Sequence, residues 1–102
     1  MNIRLLPEAV EEANAAALWY DKRRLFLGDE FLAELQSALA IIEERSHGMP
    51  VLECYSGSHD IRRQLLKRFP YMVIFAYRDE ECLIIAVPHT RRRPLYWLNR
   101  LR

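Results

Sequence analysis

Hydrophobic positions along the chain change their spacing twice, and each change marks a change of element. Asn2 to Leu6 is short and largely apolar and runs into Pro7, which predicts a first strand ending where a helix opens with proline in its first turn. Val10, Ala13, Ala17 and Tyr20, with Ala9 and Ala16 beside them, recur at helical spacing. Glu8, Glu11 and Glu12 stand in the first turns, where the helix dipole favours negative charge. Leu27-Gly28-Asp29 reads as a break with an N-cap, and Phe31, Leu32, Leu35, Ala38, Leu39 and Ile42 predict a second amphipathic helix stopping near His47-Gly48. Two such helices joined by a short break form an antiparallel hairpin.

Beyond Pro50 the pattern is irregular and polar as far as His59, with Ser56-Gly57-Ser58 marking a loop. Ile61 to Lys67, Tyr71 to Arg78 and Cys82 to Pro88 then read as three strands of an antiparallel meander, separated by Phe69-Pro70 and Asp79-Glu80-Glu81. The segment from Pro94 through Leu95, Tyr96, Trp97, Leu98, Asn99 and Arg100 fits either a short terminal helix or an extended arm. The predicted fold is therefore α+β: an N-terminal strand and a helical hairpin packed on an antiparallel sheet of about four strands, with a short C-terminal segment. The strands Tyr71 to Arg78 and Cys82 to Pro88 are apolar on both faces, and a hairpin covers only one. The other face needs a cover, from the C-terminal segment or from another chain.

With 102 residues and 51% hydrophobic composition, the chain is expected to be a single domain over 1–102. No apolar run approaches the roughly 20 residues a membrane helix needs, and charged Arg4 and Glu8 interrupt any signal-peptide core, so a cytoplasmic protein without a membrane partner is expected. Cys54 and Cys82 are expected to be reduced, and with His47, His59 and His89 they show no paired metal-ligand spacing. No metal and no cofactor are expected. Charge adds more to the picture. Residues 1–50 carry five Lys/Arg against nine Asp/Glu, whereas 51–102 carry ten against five, so the C-terminal half attracts acidic partners or polyanions. Arg91, Arg92 and Arg93 stand beside aromatic residues and suit phosphate or carboxylate. Arg62 and Arg63, as strand neighbours, point to opposite sheet faces. Tyr96 and Trp97 either stack on a ligand or anchor the terminal segment, while Trp19 and Tyr20 read as hairpin packing.

The ordered set Glu12, Ala16, Trp19-Tyr20, Leu27-Gly28, Phe31, Ile42, Ile61-Arg62-Arg63, Arg68-Phe69-Pro70-Tyr71, Ala86-Val87, His89, Arg93-Pro94, Tyr96-Trp97 and Arg100 resembles the ParE/RelE superfamily of bacterial toxins, over nearly the whole chain. The resemblance implies a toxin of a type II toxin–antitoxin module. Its partner would be a cognate antitoxin whose acidic C-terminal part wraps the toxin and covers the second apolar sheet face. A homodimer or a hetero-oligomer with the antitoxin would both be compatible. Two modes of action divide that family: ParE-like members bind DNA gyrase and trap its cleaved-DNA complex, and RelE-like members cut mRNA on the ribosome. A metal-free ribonuclease needs a base, an acid and cations for the growing phosphate charge. Arg63, His89 and Tyr96 are the candidates for such roles. Leu65 and Met72, however, stand where RelE-like nucleases carry further basic residues. The resemblance therefore favours ParE-like gyrase inhibition without chemistry, with the endoribonuclease or a non-toxic binding protein as alternatives. Target or partner binding is expected at Arg62, Arg63, Arg91, Arg92, Arg93, Tyr96, Trp97 and Arg100.

Overall fold

A computed structural model describes residues 2–101. Strand β1 (Asn2–Leu5) leads into helix α1 (Pro7–Asp21), with Pro7 in the first turn, followed by α2 (Leu27–Arg45) and a 3-10 turn over Ser46–Gly48. Strands β2 (Ile61–Leu65), β3 (Met72–Arg78) and β4 (Glu81–Ala86) follow. The four strands form one sheet in the order β1-β4-β3-β2.

Two local expectations change. β2, β3 and β4 are an antiparallel meander, but β1 runs parallel to β4, pairing Asn2 with Glu81 and Leu5 with Ile84, so the sheet is mixed rather than wholly antiparallel. Strand direction at a free edge depends on where the following helix must enter, which no local hydrophobic pattern encodes. The hairpin break also differs from the expected N-cap. Helix α2 begins at Leu27, after Phe26 in the left-handed region at φ 68°, and Asp29 lies within the first turn. The orphan N–H of Gly28 donates to Asp21 Oδ1 at 2.7 Å, so the cap comes from the end of α1. Glycine is required there: a Cβ would stand 2.2 Å from the Ala17 carbonyl oxygen.

On the hairpin side, Ala9, Ala13, Ala16 and Ala17 of α1 and Phe31, Leu35, Ala38 and Ile42 of α2 bury against Val73, Phe75, Cys82 and Ile84. The opposite face is covered by the chain itself. Ile61, Ile74, Ala76, Leu83, Ile85 and Ala86 pack with Leu52 and the fully buried Trp97, flanked by Tyr55, Leu95, Tyr96 and Leu101. The C-terminal segment is neither a regular helix nor an extended arm: it folds as turns ending in one 3-10 turn over Leu98–Arg100. A register shift between Ile74 and Phe75 puts Ile85 and Ala86 together on this face and returns Val87 to the hairpin side. That bulge sets the backbone at the end of β4, where the candidate site lies. Among the described residues, no helix is long and apolar enough to cross a membrane, and no cluster of His, Cys, Asp or Glu is arranged to hold a metal ion.

Candidate functional site: a groove beside the end of the fourth strand

β1 ends at Leu5, and Leu6 N–H still donates to Ile84 O at 3.0 Å. Beyond that point side chains meet the edge of β4. Glu12, on the inner face of α1, accepts from Val87 N–H at 3.0 Å, while Arg100 donates to Ile85 O at 3.0 Å. Arg100 also forks onto the Glu12 carboxylate, at 3.1 Å to Oε1 and 2.9 Å to Oε2, and Tyr96 Oη–H donates to Oε2 at 2.6 Å. Burial works to raise the Glu12 pKa, but hydrogen bonds from Arg100, Tyr96 and the Val87 N–H hold it below the usual carboxylate value. Burial and the Glu12 carboxylate raise the Tyr96 pKa. One carboxylate thus ties α1, the end of β4 and the C-terminal segment together.

Beside this network a groove of about 550 Å³ opens between α1 and the ends of β3 and β4. Ala15, Ala16 and Trp19 form the α1 wall, Tyr71 and Pro88 the opposite side, and His89 and Arg92 bring polar atoms to it. The small alanines leave the space, and aromatic packing makes it rigid: Tyr20 lies 5.5 Å from Phe31, 4.8 Å from Phe69 and 6.1 Å from Tyr71, centroid to centroid. His89 stacks edge-on to Tyr71 at 5.2 Å and accepts from Arg91 N–H through Nδ1 at 3.0 Å. In the neutral ring the proton therefore sits on Nε2. Arg92 lies over the Tyr96 ring at 4.0 Å. Arg91, Arg92 and Arg93 are exposed and form no ion pair with any described residue, so their charge is available to a ligand.

The residues expected to bind or to catalyse are not gathered in one place. His89 and Arg92 line the groove, whereas Tyr96 and Arg93 line a smaller cavity of about 100 Å³ on the far side of Arg92. Arg63 pairs with Ile74 in register, on the sheet face of the C-terminal segment, and lines neither cavity. Arg62 faces the other way and is a structural clamp: it pairs with Asp60 at 2.9 Å and donates to the carbonyls of His47 and Met49. Trp97, expected at a binding surface, is instead buried and anchors the terminal segment. Arg100 is committed to Glu12. The groove instead uses Trp19, half exposed, and Tyr71, neither of which the sequence singled out for binding. Glu12 was also missed as an organiser, although an acid between Ala9, Ala13 and Ala16 on an apolar helical face signals a buried partner.

No protein-family model matches the chain, and no curated protein matches it. A solved chain described as "Chromosomal ParDE TA system from P. aeruginosa" superposes with a TM-score of 0.74 at 13% identity, covering 87% of this chain and 95% of that one. The fold is ParE/RelE-like. At this identity the likeness concerns architecture: a ParE/RelE-like fold with a mixed four-strand sheet and a helical hairpin on one face.

Proposed function

We propose that the chain is the toxin of a toxin–antitoxin module and that it acts by binding DNA gyrase rather than by cutting RNA. The ParE/RelE-like fold supports the module, and a structural relative comes from a ParDE system. One observation carries the non-catalytic choice: the nuclease candidates Arg63, His89 and Tyr96 do not line one common cavity, and the Tyr96 hydroxyl is already spent on Glu12. A raised tyrosine pKa also opposes its use as a base. In this reading the antitoxin lays an acidic segment along the groove, where Arg92 lines an aromatic wall of Trp19, Tyr20 and Tyr71 and the exposed Arg91 and Arg93 flank it in sequence. The second sheet face, which the resemblance assigns to the antitoxin, is already filled by the chain's own Trp97 and its neighbours.

The test adds purified protein to gyrase, supercoiled plasmid and ATP, followed by detergent and protease. Linear plasmid is the expected product. Absence of linear DNA from a preparation that still arrests growth, together with cleavage of ribosome-bound mRNA, would overturn the gyrase reading in favour of the nuclease.

A further inference from the structure

Half of the exposed large apolar side chains among the described residues are concentrated near the tip of the helical hairpin, the others being scattered at Val10, Val51, Leu65 and Leu98. Leu18, Trp19, Leu25 and Phe26 are 58%, 49%, 71% and 63% exposed, all within nine residues. Such a concentration on a small protein marks a contact surface. The tip is also pre-formed. Asp21 accepts from Gly28 N–H, Arg24 pairs with Glu30 at 3.0 Å, and backbone N–H groups of Lys22, Arg23, Arg24 and Leu27 all find carbonyl partners within the turn. Phe26 is held at φ 68°, a backbone conformation that costs a bulky residue free energy and that leaves its ring in solvent. A rigid apolar surface loses little conformational entropy on binding.

Charge specifies what fits there. Lys22 and Arg23 form no ion pair with any described residue, and Arg23 is folded back over the Trp19 ring at 3.8 Å. The cations are therefore interleaved with the apolar groups. A helix lying on a lipid surface would segregate them onto opposite faces, whereas apolar anchors rimmed by charge are the pattern of a protein interface. We propose that the hairpin tip is a docking surface for a protein partner whose contact patch is apolar at its centre and acidic at its rim, and that it makes the contact with the toxin's target. This rests on the gyrase reading above. Trp19 belongs to both the tip and the groove, so a segment seated in the groove covers part of the tip. That sharing provides a direct means by which a groove-bound antitoxin excludes the target.

Two variants of the full chain test the tip independently, one removing its apolar groups (Leu25→Ser with Phe26→Ser) and one reversing its charge (Lys22→Glu with Arg23→Glu). All four side chains are exposed, and circular dichroism melts confirm that each variant folds. Gyrase binding is measured on immobilised gyrase without DNA, and linear plasmid formation in the full reaction. Each variant is expected to need at least tenfold more protein than the wild type in both assays. Variants as potent as a fully active wild type would overturn the docking surface while leaving the gyrase reading intact. A wild type that neither binds gyrase nor yields linear plasmid would overturn the gyrase reading, and this inference with it. Tip-dependent pelleting with vesicles of anionic phospholipid, in place of gyrase binding, would assign the patch to a membrane and equally overturn it.

Discussion

The two faces of the sheet are covered in opposite ways. On one, two regular helices spread the burial over many modest side chains, chiefly alanines and aliphatics around Phe31. On the other, a short irregular segment depends on a single large anchor, Trp97, and on the Glu12 network that ties the segment to α1 and β4. The difference teaches where the molecule is sensitive. A distributed cover tolerates the loss of a methyl group, whereas a concentrated one depends on each of its few attachments.

Substitutions at three positions sharpen this contrast. Trp97→Ala should have the largest effect, about 4 kcal/mol, because it empties the centre of the C-terminal face and nothing regular remains to close the gap. Urea unfolding followed by tryptophan-independent circular dichroism would measure it. A loss below about 1 kcal/mol would mean that the segment is dispensable and the comparison mistaken.

Glu12→Ala should come next, at about 3 kcal/mol, since it leaves Arg100 and Tyr96 partly buried without their acceptor and the Val87 N–H without a partner. The pH dependence sharpens this further. The Glu12 pKa is depressed in the folded state, so its contribution is fully present above the ordinary carboxylate value of 4.5 and is lost as pH falls through the lower folded value. The stability difference between wild type and Glu12→Gln should thus stay constant from neutrality to about pH 5 and shrink below pH 4.5. A difference that fell between pH 7 and pH 5 would contradict the network.

Ile42→Val, on the hairpin side, should cost the least, about 1 kcal/mol, although Ile42 is fully buried. The neighbouring helix side chains share the adjustment. Chemical denaturation would show this as a small shift in midpoint with an unchanged slope. A loss approaching that of Trp97→Ala would show that the two faces are supported alike.

Much of this architecture is legible along the chain because it is written in local periodicity. The 3.6-residue spacing of Val10, Ala13, Ala17 and Tyr20, with Ala9 and Ala16, and of Phe31, Leu32, Leu35, Ala38, Leu39 and Ile42 announces both helices, and Pro7 marks where the first begins, although Val10 lies on the exposed side of its helix. The doubly apolar β3 and β4 also announce that the sheet needs two covers, which the structure supplies. The candidate site is less legible. Arg91, Arg92, Arg93 and His89 stand out by composition, and strand alternation already puts Arg62 and Arg63 on opposite faces, but a sequence does not show that Arg62 is the one tied to Asp60 and to the His47 and Met49 carbonyls.

What the sequence determined by itself is therefore the set of elements, their order, the amphipathic faces and the excess of cations in the C-terminal half, since each depends on neighbours within a few positions. Only the tertiary structure decided that β1 runs parallel to β4, that the bulge after Ile74 sets the end of β4, and that Glu12 meets Tyr96 and Arg100 more than eighty residues away. Those outcomes depend on which backbone edges and charges remain unsatisfied once the helices and sheet have packed. Their partners are chosen by proximity in space, and local spacing carries no record of that choice.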